Sequence, residues 1–352
     1  TCSYEARTYG VKSAMPASEA YRRCPHGIFL ETDGAKYTYV SIEILSIMRE
    51  FSPLIEAFSI DEAFVDITGI WERYGSPELM IRRMQEEIKD RTGITASAGI
   101  APNKIIAKMA SGMDKPNGLT LIEPPMVGAF LENLPVEKVF GIGEATCKSL
   151  EKLGIRTVGE MAQFNRNALK NLFGVYGPIM HDIANGSADD NVIPYYQRPI
   201  EKSIGHETTL PADTISDDII IANLRVLSER VGRRMRKSGL EARRITLKLR
   251  YFDFATYTRA KTLQYHVRSD SAIFEQAKSL LFDNKIEMKP VRLLGISVSK
   301  LRDITDGLQK ELFDDLGEDK KVAVSEVMDR IKDIHGDRSI TYSSGTNRSE
   351  WS

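Results

Sequence analysis

Two adjacent acids lie inside an apolar run, Ser59-Ile60-Asp61-Glu62-Ala63-Phe64-Val65-Asp66. Strand alternation puts Ile60, Glu62 and Phe64 on one face and Asp61, Ala63 and Val65 on the other. Because residues 53–60 approach the pair, Asp61 and Glu62 are expected at a hairpin turn, with both carboxylates leaving the sheet. Such a pair can hold Mg²⁺, a hard cation that takes oxygen ligands and binds one or two carboxylates together with substrate phosphates. An ordinary acidic turn has the same composition, so these eight residues do not decide between the two.

A second segment, Ala98-Gly99-Ile100-Ala101-Pro102-Asn103-Lys104, opens a helix through Ile105-Ile106-Ala107-Lys108-Met109-Ala110-Ser111 and continues into Gly112-Met113-Asp114-Lys115-Pro116-Asn117-Gly118. Lys104, Lys108 and Lys115 surround a helix whose small residues permit close approach. Lysine acts on phosphate as a point charge, so the set suits a triphosphate, though an exposed basic helix would look alike. A third segment, Phe140-Gly141-Ile142-Gly143-Glu144-Ala145-Thr146-Cys147-Lys148-Ser149-Leu150, precedes Leu153-Gly154-Ile155 and resembles a helix–hairpin–helix. Gly141 and Gly143 can adopt angles that expose amide N–H groups at a helix start, an anion site. A hairpin of this kind grips a phosphodiester without reading bases; Ile142 and Lys148 belong to the same candidate DNA contact.

Farther on, the side chains of Arg244, Thr246, Lys248 and Arg250 share one strand face while Ile245, Leu247 and Leu249 take the other. Arg259 and Lys261 fall on the next strand. One basic sheet face suits a DNA backbone, bound in a salt-dependent and largely sequence-independent way; a solvated face is the plainer alternative. His26, His181, His206, His266 and His335 are scattered and make no case for a nucleophilic triad.

These groups need elements to hold them. Apolar spacing predicts helices over 18–23, 36–51, 77–92 and 104–112, with strands at 94–101 and 119–122 beside the acidic run at 55–67. That order fits an α/β layer. Residues 124–193 read as short helices broken by Gly and Asn, and 191–199 as a linker. Strands at 200–210, 243–252, 256–266 and 291–301, with helices at 217–237 and 271–282, give a β-α-β-β-α-β module. A last helix is expected over 320–334, followed by a disordered end.

Composition narrows the class. Apolar residues form 42% of the 352-residue chain, enough to bury real cores. The net charge is −1, yet residues 198–302 carry about nine more Lys and Arg than Asp and Glu, the footprint of a polyanion partner. Three cysteines without CxxC spacing argue against a disulfide scaffold or a zinc site. No run reaches a membrane span and no leader opens the chain, so the expected compartment is the cytoplasm. The chain is expected to be a monomer.

The string N-K-x-x-A-K-x-A-S-x-x-x-K-P-N-G from Asn103, with S-I-D-E-A from Ser59 and Y-E-A-R-x-x-G-V from Tyr4, resembles the signature set of Y-family translesion DNA polymerases of the bacterial polymerase IV type. The resemblance runs from Thr1 to about Leu301. It implies an α+β multidomain right-hand polymerase: fingers at 1–33, an α/β palm at 34–123, a helical thumb at 124–192, a linker at 193–199, a βαββαβ little finger at 200–302 and a tail at 303–352. It further implies primer-template DNA and dNTP as substrates and two Mg²⁺ ions as cofactors. Asp61 and Glu62 would be the catalytic, metal-binding palm carboxylates; Thr1, Tyr4, Arg7 and Lys115 would grip the incoming triphosphate. Lys104 joins the DNA-binding set, as do Lys202 and Ser203, which open the matching strand motif Lys202-Ser203-Ile204-Gly205-His206-Glu207. Gln309-Lys310-Glu311-Leu312-Phe313 looks like the Q-x-x-L-F peptide that docks bacterial polymerases on a sliding clamp, with Gln309, Leu312 and Phe313 as its contacts.

One departure matters. The family's first metal-binding carboxylate, in a D-x-D-x-F/Y-type strand, and its aromatic steric gate would precede Thr1. The chain as it stands is therefore expected to bind metal poorly and to polymerise weakly or not at all, its parent being the polymerase. Two other readings compete: a non-catalytic DNA- and clamp-binding protein, which need not keep Asp61, Glu62 and Lys115, and a palm-type nucleotidyl cyclase, which leaves the hairpin and the basic module unexplained.

Overall fold

A computed structural model of the protein describes residues 1–187, 191–197, 201–282, 289–307, 316–337 and 339–342. They fall into two units, Thr1–Arg198 and Pro199–Ser352. No helix among the described residues is long and apolar enough to cross a membrane.

In the first unit, short polar residues fix where helices begin. Ser3 caps α1 (Tyr4–Thr8), and α2 (Ala17–Arg23) follows. The Asp33 side chain accepts from Lys36 N at 3.0 Å and starts α3 (Gly34–Phe51). After β1 (Ile55–Ala57) and β2 (Ala63–Val65), Ser76 caps α4 (Pro77–Thr92), which ends on Gly93 at φ 72°. Then come β3 (Ala98–Ile100), α5 (Lys104–Ala110) capped by Asn103, and β4 (Leu119–Leu121). β1 pairs antiparallel with β2, and β3 parallel with β4. Ile47, Ile81, Met84 and Ile88 form the core that joins α3 and α4. The helices α6 (Val127–Glu132), α7 (Glu144–Lys152), α8 (Val158–Gln163), α9 (Arg166–Phe173) and α10 (Tyr176–Ala184) share a second core with α5, through Ile106, Met109, Leu150, Met161, Leu169 and Met180.

The second unit is a four-stranded sheet of order β5-β8-β6-β7, built from β5 (Ser203–Thr214), β6 (Leu240–Tyr251), β7 (Thr256–Val267) and β8 (Val291–Asp303). The helices α11 (Asp217–Lys237) and α12 (Asp270–Phe282) pack on one side of it over Leu224, Leu227, Met235, Ile245, Leu247, Phe274 and Ile296. The expected β-α-β-β-α-β order is present, and α11 has the expected bounds. The helix expected in the tail runs over Leu316–His335 (α13) and packs on α11 and α12, so this part of the tail belongs to the module.

A buried amide ties the first unit's loops together. Gln85 of α4 donates through Nε2 to the carbonyls of Ala96 (2.7 Å) and Gly118 (3.0 Å). Arg82 donates to Gln85 Oε1 (3.1 Å) and to the Asn117 carbonyl (3.2 Å). Gly118 is required where it stands, since a Cβ there would lie 1.7 Å from the Asp114 carbonyl oxygen. Replacing Gln85 by Leu removes the donors from two carbonyls, and unfolding in urea is expected to show a loss of about 1–3 kcal/mol.

Candidate active site and nucleic-acid interface

The two acids lie at a hairpin turn. Register pairs Ile55 with Val65 and Ala57 with Ala63, and both Phe58 N and Ser59 N donate to the Glu62 carbonyl, at 2.9 and 3.1 Å. Asp61 is exposed, and its Oδ1 accepts from the Ser59 hydroxyl at 2.7 Å. Glu62 is ion-paired to Lys108 of α5. One helical turn earlier, Lys104 Nζ lies 2.8 Å from Glu56 Oε2, which also accepts from Ile193 N at 2.8 Å. Lys104 was expected on a nucleic-acid backbone; the structure keeps its side chain 15% exposed against Glu56 and over the Phe64 ring. Phe58 packs edge-on against Phe64 and Phe140, with centroids 5.7 and 5.4 Å apart. Glu56 and the phenylalanine cluster were not singled out in the sequence, because their roles depend on the register of β1 with β2.

The donor set at the turn is two adjacent carboxylates, hard oxygen ligands, Asp61 exposed and Glu62 half-buried against Lys108. That chemistry fits Mg²⁺ completed by water and phosphate oxygens. Among the described residues, no group of three or more His, Cys, Asp and Glu gathers to hold a metal by itself.

The nucleotide candidates sit on separate elements. Thr1, Tyr4 and Arg7 are exposed on and before α1, with the Arg7 guanidinium 5.6 Å from the centroid of the Tyr4 ring. Lys115 is exposed on the loop clipped by Arg82 and Gln85. No hydrogen bond or ion pair among the described residues joins these four to the acidic turn.

The glycine hairpin has the expected local form. Gly141 adopts φ 90°, Ile142 is buried, and Gly143 precedes α7 without supplying a side-chain cap. The first N–H groups of α7 therefore stay open to an outside acceptor. A Cβ on Gly141 would lie 2.1 Å from the Tyr176 hydroxyl. Lys148 is exposed and paired with Glu144, one turn back.

In the second unit the register sorts the basic residues, since directly opposed residues share a face. Arg244, Thr246 and Lys248 stand opposite Ser299, Ser297 and Gly295 of β8, which in turn oppose Ser203, Gly205 and Glu207 of β5. Arg250 continues the row and donates to the Thr256 hydroxyl at 2.9 Å. Lys202 is exposed just before β5. Arg259 and Lys261 stand opposite the buried Leu247 and Ile245, so they lie on the other face, at the sheet edge. The expected single basic face is therefore divided. One residue of parity sets the split, and parity is fixed by pairing between strands. The face away from the helices gains Gly295, Ser297 and Ser299, whose alternation in β8 was the available signal. Lys248 is paired to Glu207 at 2.6 Å, and a Cβ on Gly295 would press on the Cβ atoms of both. His206 points the other way, with Nε2 3.0 Å from Arg230; burial, then Arg230 and Arg234, hold its pKa below the usual imidazole value. Gln309, Leu312 and Phe313 lie outside the described residues.

With this geometry in view, residues 1–112 match the impB/mucB/samB family and residues 201–312 match its C-terminal domain. A DNA polymerase IV of Desulfatibacillum aliphaticivorans is 36% identical over 96% of this chain and 84% of its own length. One of Moorella thermoacetica is 38% identical, with the same shares covered. Among solved structures, a chimera of the Y-family DNA polymerases Dbh and Dpo4 superposes with a TM-score of 0.74 at 28% identity, covering 86% of this chain and 87% of that one. A ternary insertion complex of Dbh DNA polymerase gives a TM-score of 0.55 at 27% identity, covering 84% and 85%. The chain belongs to the impB/mucB/samB family, within the Y-family DNA polymerases of the polymerase IV kind.

Proposed function

We propose that this Y-family DNA polymerase carries out template-directed, lesion-bypassing synthesis, joining a dNTP to a primer 3′-hydroxyl, with Asp61 and Glu62 as its palm carboxylates. The observation that carries the reading is the acidic turn itself. Its two adjacent carboxylates are braced by Ser59 and Lys108, in a chain of a DNA polymerase family. Two Mg²⁺ ions bound there would neutralise charge on the triphosphate and lower the pKa of the attacking hydroxyl. Asp61 and Glu62 would be the carboxylates that hold those ions. Thr1, Tyr4, Arg7 and Lys115 hold the triphosphate, so the chain's own share of the catalysis is positioning and charge. Gly141, Ile142, Gly143 and Lys148 grip one phosphodiester. Lys202, Ser203, Arg244, Thr246, Lys248 and Arg250 follow the duplex backbone, with Arg259 and Lys261 at its margin. The segment bearing Gln309, Leu312 and Phe313 binds a sliding clamp, and the working form is a monomer.

Asp61→Ala is expected to lower primer extension by about 100-fold or more while leaving primer-template affinity within about twofold. Unchanged extension would remove Asp61 from the metal site. Arg250→Ala should weaken DNA binding equally on every sequence and reduce the slope of log K against log salt by about one. Gly141→Ala should lower affinity without altering that slope, because it displaces a backbone donor rather than a charge.

A further inference from the structure

Helix α13 is attached inside out. The residues it buries against α11 and α12 are largely polar: Glu318, Ser325, Asp329 and Lys332, with Val322 and Met328 among them. Arg236 of α11 takes Asp329 with two hydrogen bonds, at 2.8 and 3.0 Å, and reaches the buried Asp270 at 2.7 Å. Asp333 lies 2.7 Å from Arg233 and 2.8 Å from Lys237, while Lys332 pairs with Glu229. Glu318 accepts from the backbone N–H groups of Arg268 (3.1 Å) and Ser269 (2.9 Å), just ahead of α12. Each contact is directional, so together they fix how the helix is rotated about its axis.

That rotation points the apolar residues outward. Val324, Val327 and Ile334 are 54%, 47% and 76% exposed. With the half-buried Ile331 they follow a three-four-three spacing, one stripe along a helix. The exposed side chains of Lys320, Lys321 and Arg330 border it. A surface helix ordinarily buries such a stripe and shows water its charges. An apolar strip rimmed by cations suits helix-in-groove docking on a protein surface that is apolar with an acidic margin.

We propose that this outward stripe of α13 is a second contact surface for the sliding clamp, used beside the segment 309–313. The inference rests on the clamp reading proposed above. Chain connectivity selects this occupant: Phe313 precedes Leu316 by three residues, a reach of about 10 Å at full extension, so a partner holding Phe313 lies against the start of α13. A second copy of the chain would set one cationic rim against another. A lipid surface favours aromatic and leucine side chains, whereas the stripe holds only valine and isoleucine. Two linked contacts raise affinity jointly, so losing either one weakens the whole.

The test is the affinity of the full chain for the purified sliding clamp of the same source, by surface plasmon resonance. Variants are the segment pair Leu312→Ala with Phe313→Ala, the stripe triple Val324→Ser, Val327→Ser and Ile334→Ser, and the rim pair Lys320→Glu with Arg330→Glu. The stripe triple is expected to weaken binding about 5- to 30-fold with an unchanged melting temperature, since all three positions are exposed. The rim pair should chiefly slow association at low salt. If the segment pair weakens binding and the stripe triple does not, the stripe is no clamp contact and the inference fails. If the segment pair binds as wild type does, the clamp reading itself fails. A dimer in sedimentation that the stripe triple abolishes would give the stripe to a second copy. Binding to vesicles of three parts phosphatidylcholine to one part phosphatidylserine, lost in the triple, would give it to lipid. Either outcome overturns the proposal.

Discussion

Crowding carboxylates on one short hairpin is electrostatically awkward, and the first unit is arranged around that constraint. Glu56, Asp61 and Glu62 lie on or beside one short hairpin. α5 meets them with Lys104 and Lys108, one turn apart, each taking one glutamate. Asp61 is left to the Ser59 hydroxyl and to solvent. The helix that answers the charge also supplies Ile106, Met109 and Ala110 to the core shared with α6–α10. Displacing α5 would thus disturb the acidic turn and that core together. A largely buried pair such as Lys104 with Glu56 adds little net stability, because desolvation offsets the attraction, but it sets direction well.

The second unit solves a different problem with the same means. One side of its sheet is sealed by α11 and α12 over a large apolar core; the other shows a row of serine, threonine, glycine, lysine and arginine. Small residues on β5 and β8 leave the backbone of this face thinly covered, while longer cations on β6 reach past them. The pairing of Lys248 with Glu207 keeps that face from being uniformly positive.

Much of this was legible in the sequence because strong periodicities and caps are local. α4 and α11 have the bounds their apolar spacing predicts, and the acidic turn falls where alternation breaks. Three things were hidden. The five-residue α1 is too short for periodicity to register, and Ser3 alone marks its start. The parity of β7 against β6 places Arg259 and Lys261 on the far face, a property of two strands rather than of either one. The reversed seating of α13 could not be foreseen, because an amphipathic pattern shows which residues group together but not which group is buried. Here the buried charges of α11, far away in sequence, decide it.

That seating gives α13 an unusual response to its surroundings. Ordinary helix docking depends on apolar burial, which strengthens with moderate warming and in salting-out media. α13 depends mainly on Arg236, Arg233, Lys237 and Glu229 meeting opposite charge. The hydration penalty of such ion pairs falls as temperature rises, whereas mobile ions screen those near the surface. Screening reaches the exposed pairs first, Lys237 with Asp333 and Arg233 with Asp337, while the buried Arg236 cluster and the Lys332–Glu229 pair keep the helix seated.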